Sequence, residues 1–405
     1  MLGFLRDNVR FLTVGIILML TSSYGQTFFI SIFAGEIMES FSLTDGEWGS
    51  IYTAGTMISA VVMLWAGAQT DRFRVRALAW VVLPGLGVSC LLMAANPWPL
   101  GLVGIVFLLR LFGQGMTFQL AAVAMARWFS ARRGLALSVS TMGYYVGQAG
   151  FPVLFAALLL IYDWRLLWVG SAVLVFIAIP FVIRLLAQER TPQSLAKKES
   201  VPGMQNRHWT RAEMLRTSFF WLLVPLLLGP PSWGTALFFQ QVHIADAKGW
   251  ALVDYLALIP ILTAVSVAAT LISGQLIDRF GSGPVIQIYL FPWVVGFLLL
   301  ANAETIYSAA IAFAVFGIAT GTQATVVTAF WAEYFGTRHL GAIKAASTSI
   351  MVFGSAVGPG VTGNLIDLGY DFPSQMPFLA AYFVFANLLA FVAVHRARSE
   401  LPSAS

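Results

Sequence analysis

The sequence predicts an all-α membrane protein with twelve transmembrane helices in two pseudo-symmetric six-helix bundles. Of its 405 residues, 59% are hydrophobic and 10% are charged, whereas about a quarter of the residues in soluble domains are charged. A helix that crosses a bilayer needs about 20 apolar residues. The chain contains twelve such runs, which are too long and too continuously apolar to be the strands of a membrane barrel. The runs are centred on Leu20, Thr56, Gly87, Phe112, Gly147, Val175, Leu228, Pro260, Val294, Ala319, Phe353 and Ala386.

Two pairs of similar loops divide these spans into related halves. Residues 67–76 follow the second span, and residues 274–281 follow the second span of the other half. Both loops have a glycine followed by Asp-Arg-Phe at the same offset. Loops 128–134 and 334–341 form a second pair, each after the fourth span of its half. Two pairs in register indicate an internal duplication.

A hydrophilic segment separates the halves. Residues 187–216 are polar and contain proline and glycine, which is typical of a linker. We therefore expect an N-terminal six-helix bundle at 1–186, a cytoplasmic linker at 187–216 and a C-terminal six-helix bundle at 217–405. The last part of the linker, 209–216, has the pattern of a short interfacial helix.

The distribution of basic residues predicts the orientation. With both termini in the cytoplasm, only Arg165 and Lys248 of the loop cations fall in outer loops, as the positive-inside rule requires. We expect a multi-pass protein of a bacterial-style inner membrane, without a cleaved signal peptide. The net charge of +5 is spread over separate loops, which argues against a nucleic-acid partner. The single cysteine, Cys90, excludes an intrachain disulfide.

These features resemble the major facilitator superfamily of secondary transporters over essentially the whole chain. The resemblance rests on two six-helix halves, a long inner linker and a Gly-x-x-x-Asp-Arg loop after the second span. Gly67, Asp71, Arg72 and Arg76 match the signature loop of the superfamily, although Arg74 stands where a glycine is usual.

Further residues look like the branch that contains monocarboxylate porters and oxalate/formate exchangers. They are Trp128-Phe129 with the segment 132–136, Asp163-Trp164-Arg165 and Gly358-Pro359-Gly360. Porters of this branch carry basic residues in span eight or eleven that hold the carboxylate. Here span eight, 252–273, has none, and Lys344 lies near the inner end of span eleven.

The resemblance implies an inner gate. In the superfamily the signature loop locks the two halves on the cytoplasmic side, and its carboxylate faces the amino end of span eleven, where free backbone N–H groups favour an anion. The alternative is that these charges only keep the loop in water and define the topology. The gate residues would be Gly67, Asp71, Arg72, Arg76, Asp278 and Arg279.

Pairs of glycines lie one helical turn apart in the corresponding spans five and eleven. They are Gly143 and Gly147, and Gly354 and Gly358. Glycines at this spacing let two helices approach closely. They indicate either faces along which the halves rock or plain tight packing.

Arg110 is a charged residue inside an apolar span. It lies about ten residues, roughly 15 Å, from the outer end of span four. A charge at that depth costs several kcal/mol unless it faces a partner or a watery cavity. With Gly113 and Gly115 it forms an Arg-x-x-Gly-x-Gly pattern, which resembles a superfamily motif whose arginine faces the central cavity. Arg110 therefore binds an anionic substrate group, adjusts a proton site, or is satisfied by carbonyls and amides of neighbouring helices.

Polar residues within the spans outline the expected substrate path. Each of them is alternatively an interhelical hydrogen bond. The candidates for substrate binding besides Arg110 are Tyr24, Gln26, Gln119, Tyr144, Tyr145, Gln148, Gln240 and Gln323.

We therefore expect a secondary active transporter that moves a small solute by alternating access. The favoured solute is an organic anion such as a mono- or dicarboxylate. The alternatives are a multidrug or amphipathic-metabolite efflux transporter and a non-transporting solute sensor. An intramembrane enzyme is not expected, because none of the four histidines and no acid lies at mid-span.

The expected partners are a small-molecule solute and the lipid bilayer, and we expect a monomer without cofactor or metal. A coupling proton or a counter-anion stays open, since the buried carboxylate of many proton relays is missing. The nearest titratable candidates are Glu36, Asp254, Glu333 and His243.

Overall fold

The structure is a computed structural model that describes residues 6–67, 69–129, 133–187, 203–336 and 338–397. These residues belong to two compact units, Met1–Lys197 and Lys198–Ser405. The boundary lies inside the hydrophilic segment 187–216. Within the described ranges the regular structure is entirely helical.

We number the membrane helices α1 to α12. In the first unit, α1 comprises Val9–Gly25 and Thr27–Phe41, and α4 comprises Gly101–Leu109, Arg110–Thr117 and Phe118–Trp128. The other helices of this unit are α2 (Asp45–Ala66), α3 (Val75–Ala95), α5 (Arg133–Leu159) and α6 (Trp164–Leu185). Those of the second unit are α7 (Ser218–Phe239), α8 (Ile259–Phe280), α9 (Phe291–Ala301), α10 (Ile306–Phe335), α11 (Leu340–Asp367) and α12 (Phe372–Ala397).

Every predicted apolar run is a helix. In the described part of the chain, ten helices are long and apolar enough to cross a membrane, and the bent α1 adds an eleventh. The remaining run is α2, a helix of 22 residues that begins at Asp45 and has glycine, serine and threonine among its apolar residues. Its start is stabilised by a capping box, in which Thr44 and Glu47 bond each other's backbone amides.

The same three helix pairs pack together in each unit. In the first unit α1 packs on α5, α2 on α4 and α3 on α6; in the second, α7 packs on α11, α8 on α10 and α9 on α12. This correspondence is the structural counterpart of the duplicated loops.

The four singled-out glycines lie inside these pairs. A Cβ at Gly143 would collide with the carbonyl of Ile16 on α1, and a Cβ at Gly358 with the carbonyl of Ser232 on α7. Gly147 and Gly354 likewise face α1 and α7. Each glycine pair thus permits close packing within its own unit.

α1 is broken near its middle. Residues Ser22–Gly25 form a 3₁₀ turn, Gln26 is extended with ψ of 152°, and the helix bends by 53°. In an unbroken helix the amide of Phe29 would bond the carbonyl of Gly25. Here it bonds the carbonyl of Gln26 instead. The carbonyl of Gly25 is therefore available to a neighbouring helix.

α4 changes its winding at the same level. The segment Arg110–Thr117 is a π-helix, in which each backbone bond spans five residues. The hydroxyl of Thr117 donates to the carbonyl of Phe112 over 2.6 Å, which has the same spacing. Such segments occur frequently at functional sites. Arg110 is the first residue of this one.

Candidate functional site

The break in α1 lies directly against the π-helical segment of α4. A Cβ built on Gly25 would stand 2.7 Å from the Cα of Gly113, and a Cβ on Gly113 would stand 2.6 Å from the Cα of Gly25. Two glycines are therefore required where the helices touch. This contact brings the freed carbonyl of Gly25 to the side chain of Arg110.

Arg110 is held by the ends of the broken helix. Its Nη1 donates to the carbonyl of Gly25 over 3.4 Å and to the hydroxyl of Thr27 over 3.3 Å. The hydroxyl of Thr27 also shares a 2.6 Å hydrogen bond with Tyr52 of α2. A carbonyl at the carboxyl end of a helix carries partial negative charge and so attracts a cation. The guanidinium carbon lies 5.4 Å from the centre of the Tyr52 ring, a cation–π distance.

All of these partners are neutral. Arg110 is 2% exposed, and its Nε has no hydrogen-bond partner. Among the described residues, no carboxylate lies within ion-pair distance of its guanidinium. A buried cation normally has an anionic partner, because unpaired burial is costly. The site therefore has a positive charge that the surrounding helices do not neutralise.

An aromatic and amide face lies on α5 beside this cluster. The amide of Gln148 donates to the hydroxyl of Tyr144 over 3.4 Å. The ring of Tyr144 packs edge-on against Phe28 of α1, with centroids 5.7 Å apart, and against Phe118 of α4, at 6.0 Å. Tyr145 lies 5.8 Å from Tyr144. Residues from α1, α4 and α5 thus meet here.

The other candidates of the first unit are placed differently. Tyr24 is buried and stacks on Phe151 of α5, with centroids 5.2 Å apart. Gln26 is buried at the break of α1, and Gln119 is half-buried on α4. The structure therefore brings Tyr144 near Arg110, with Tyr145 beside Tyr144, while Tyr24 stacks on a different part of α5 at Phe151.

The chain can be placed among known proteins. A sequence model described as the Major Facilitator Superfamily matches residues 15–359 and 263–404. The chain belongs to the Major Facilitator Superfamily. It is therefore a multi-pass membrane transporter.

Relatives of this superfamily member cover nearly its whole length. The oxalate:formate antiporter of Oxalobacter formigenes is 22% identical over 407 residues, which cover 95% of this chain and 91% of the antiporter. An uncharacterized transporter of Bacillus subtilis (strain 168) is 25% identical over 427 residues, or 96% and 93% of the two chains. A bacterial homolog to the human lysosomal transporter Spinster, crystallised in an inward-facing and unoccupied conformation, matches with a TM-score of 0.72. It is 16% identical, with 97% of this chain and 98% of that chain covered, so it shows the fold.

In the second unit of the superfamily fold, the predicted glutamines are separated. The amide of Gln240, which is buried at the end of α7, donates to the hydroxyl of Thr362 on α11 over 3.2 Å. Gln323 is half-buried on α10. Gln240 thus makes an interhelical hydrogen bond, which is the alternative role that the sequence indicated for each of these polar residues.

The signature loops are described in part. Gly67 follows the end of α2, and the backbone of Gln69–Arg72 forms a short helix. Arg76 and Arg279 are exposed. The side chains of Asp71, Arg72 and Asp278 lie outside what the structure describes.

The second loop is anchored by Glu333 of α10. The Oε2 atom of Glu333 accepts from the amide of Ser282 over 2.7 Å and from its hydroxyl over 2.5 Å. Gly281, with φ of 80°, makes the turn that presents these donors. Glu333, which the sequence marked as titratable, thus caps the short helix Ser282–Ile286 that leads into α9.

The other titratable candidates lie at helix ends. His243 accepts through Nε2 from the amide of Phe372 over 3.3 Å, while Glu36 and Asp254 are exposed. Hydrogen bonds from Ser374 hold the pKa of Asp371 below its usual value. Burial lowers the pKa of Lys248, which donates to the carbonyls at the end of α9. His243 and Lys248 thus join helix ends of the second unit.

Sequence reasoning missed Thr27 and Tyr52, which complete the Arg110 site. Thr27 adjoins Gln26, so the polar stretch around the glycine was a usable signal. Tyr52 gave no signal, because it is far from Arg110 in the chain and only the packing of α2 on α4 brings the two residues together.

Proposed function

We propose that this protein is a secondary active transporter that moves a small organic anion, such as a mono- or dicarboxylate, across a bacterial inner membrane by alternating access. Arg110 is the residue that binds the anionic group. The observation that carries the proposal is a buried guanidinium whose partners are all neutral.

The hydrogen bonds of Arg110 favour a carboxylate ligand. Both hydrogen bonds that Arg110 donates to the protein use Nη1, and Nε has no partner. The edge formed by Nε and Nη2 is one of the two edges with which arginine binds a carboxylate through two parallel bonds. The bonds through Nη1 would orient this edge, and the Thr27–Tyr52 hydrogen bond would hold the acceptor in place.

Access to Arg110 requires movement, because the side chain is buried in the present arrangement. Alternating access supplies such a movement, since each state exposes the central site to one side of the membrane. The break in α1 fits the central site of such a transporter, because broken helices in transporters provide backbone groups at that site. In this proposal Tyr144, Tyr145, Gln148 and Gln119 line the path, and the Asp71 and Asp278 loops form the inner gate.

A relative supports an organic anion as the transported solute, although it does not identify the solute of this chain. The related antiporter of Oxalobacter formigenes is named for oxalate and formate, a dicarboxylate and a monocarboxylate. The second unit differs from the carboxylate porters, because α8 has no cation before Arg279. We therefore assign the main role in binding the anion to Arg110. In the second half, Lys344 on α11 is the remaining candidate cation.

A second candidate is export of an amphipathic compound. The cluster of Phe28, Phe118 and Tyr144 supports it, since aromatic faces bind apolar groups without requiring charge. In that case Arg110 would stabilise the bend of α1 and would not contact the cargo.

The first experiment is counterflow of radiolabelled oxalate, formate and a panel of small carboxylates in proteoliposomes. We expect Arg110→Gln to abolish uptake of the transported anion, and Arg110→Lys to retain a small fraction, because lysine keeps the charge without the planar edge. Arg211→Gln, which removes an exposed arginine of the segment before α7, is the matched control and should transport normally.

Folding is checked separately. The transported anion should raise the unfolding temperature of the wild type and not that of Arg110→Gln. Unchanged counterflow in Arg110→Gln would remove the anion proposal and favour amphipathic export. Anion-dependent stabilisation without counterflow would instead favour a sensor.

A further inference from the structure

The residues before α7 form a strap that is fixed to the second unit. We use this name for residues 203–217. The amide of Trp209 donates to the carbonyl of Phe335 at the end of α10 over 3.0 Å. A Cβ on Gly203 would collide with the backbone of the same α10 terminus. The indole of Trp221, in the first turn of α7, donates to the carbonyl of Leu215 over 2.8 Å. The strap therefore lies across the end of α10 and the start of α7.

A cavity of about 390 Å³ lies between the strap and the adjoining ends of α7 and α12. It is at a membrane boundary, because α7 begins and α12 ends there. Its lining residues include both polar and apolar side chains. They are Met204, Gln205, Trp209, Thr217, Ser218, Phe219, Leu222, Ala393, Arg396 and Ala397.

The polar part of the cavity suits an anion. Arg396 supplies a positive charge from the last turn of α12. At the start of α7, which also lines the cavity, the hydroxyl of Thr217 accepts from the amide of Phe220, so the amides of Ser218 and Phe219 are the first-turn donors without a helical acceptor. None of the lining residues that the structure describes is acidic. Glu213, the acid of the strap, is bonded to Thr210 and paired with Arg207 at 3.4 Å.

The apolar part of the cavity suits an acyl chain. Phe219 and Leu222 of α7 and Ala393 of α12 line it on the helix side. Both helices carry exposed apolar residues in the adjoining turns, including Trp221 and Phe391. Tryptophans such as Trp221 are typical of the level of lipid headgroups. A ligand with an anionic head and an apolar tail therefore matches both parts.

We propose that this cavity binds an anionic phospholipid, with its phosphate between Arg396 and the start of α7 and its acyl chains against α7 and α12. Basic pockets between membrane helices at the bilayer surface bind such headgroups in general. The lipid would fix the strap and α12 to α7. This proposal does not depend on the nature of the cargo.

The test uses the full chain, purified in detergent, and titrates phosphatidylglycerol and phosphatidylcholine with identical acyl chains. Unfolding temperature and native mass spectrometry report binding. We expect phosphatidylglycerol to raise the unfolding temperature and to be retained as a bound lipid, whereas phosphatidylcholine has little effect. Arg396→Gln should weaken the apparent affinity for phosphatidylglycerol about tenfold, since one charge-assisted bond is lost. Arg396 is exposed, so the substitution should not impair folding.

Arg6→Gln is the matched control, because it removes an exposed arginine near a helix end of the other unit. It should bind phosphatidylglycerol like the wild type. Equal binding by Arg396→Gln, or equal effects of the two lipids, would overturn the proposal. So would a matching stabilisation by inorganic phosphate alone, which would indicate a free-phosphate site. Lipid binding that occurs only after deletion of residues 398–405 would indicate that the chain's own C-terminus, and not a lipid, occupies the cavity. That result would also overturn the proposal.

Discussion

At the residue scale, the placement of Arg110 depends on two glycines that have no charge or polar side chain of their own. Gly25 ends the first arm of α1, and Gly113 lies within the π-helical segment of α4. Because their backbones touch, the carbonyl of Gly25 reaches the guanidinium. The buried charge is therefore partnered through the backbone, which any displacement of the two helices would disrupt.

This dependence predicts that Gly25→Ala impairs both stability and transport. The added methyl group would press on Gly113 and on the carbonyl of Leu109, at a cost of about 1–3 kcal/mol. The unfolding midpoint of the purified protein and counterflow in proteoliposomes measure the two effects. Gly150→Ala is the control, because a Cβ at Gly150 meets no atom within 4 Å. Wild-type behaviour of Gly25→Ala would show that the contact with α4 is not required.

Arg110 also shows how far single residues can be interpreted from sequence. Its depth and its charge were evident from its position in an apolar run, and the structure finds it buried. Its partners were not evident, since Gly25, Thr27 and Tyr52 lie far from it in the chain. Their convergence depends on an extended residue, Gln26, whose conformation no local pattern specified.

At the element scale, α7 stays helical across three prolines, and Tyr289 from outside the helix satisfies one of the carbonyls that the prolines leave. Proline has no N–H, so Pro230 cannot donate to the carbonyl of Leu226. The hydroxyl of Tyr289 donates to that carbonyl over 3.3 Å. In lipid an unsatisfied carbonyl costs several kcal/mol, which makes such donors valuable.

We therefore predict that Tyr289→Phe destabilises the protein by about 1 kcal/mol. The loss should be smaller in a Pro230→Ala background, because residue 230 then has an N–H for the carbonyl of Leu226. Unfolding midpoints of the four proteins of this double-mutant cycle measure the coupling. Tyr307→Phe, at a position that is 86% exposed, is the control. Equal costs of Tyr289→Phe in both backgrounds would contradict the assigned role of the hydroxyl.

The positions of the helices could be predicted from the sequence much better than the pairs in which they pack. A run of about 20 apolar residues specifies a spanning helix with little ambiguity. It does not specify the packing face, since lipid tails are as apolar as the helix interfaces. Glycines at Gly143 and Gly358 indicated close approach, but only the structure shows that they face α1 and α7.

At the scale of the whole molecule, the two units repeat their helix pairs without repeating their charges. The pairs α2–α4 and α8–α10 correspond, yet Arg110 of α4 has no cation at the equivalent place near Gly317 of α10. On α8 and α10 hydroxyls meet instead, with Ser266 and Thr320 2.6 Å apart. The duplicated loops predicted the repeated architecture. They could not predict this divergence, because side-chain chemistry changes while helix packing is retained.

The orientation of the whole chain is open to a direct test, because the single native cysteine, Cys90, is 0% exposed and should not react. Exposed residues Arg74 and Asp246 are separated by five membrane helices, α3 to α7, so they must lie on opposite sides of the membrane.

We expect a membrane-impermeant maleimide to label Asp246→Cys in intact cells. It should label Arg74→Cys, and Arg338→Cys after three further helices, only when the membrane is opened. We expect this pattern because basic residues are concentrated near the termini and in the loops that contain Arg74 and Arg338, and such residues favour the cytoplasmic side. The inverted pattern would place the termini outside, and labelling of both Arg74→Cys and Asp246→Cys in intact cells would contradict the number of crossings between them.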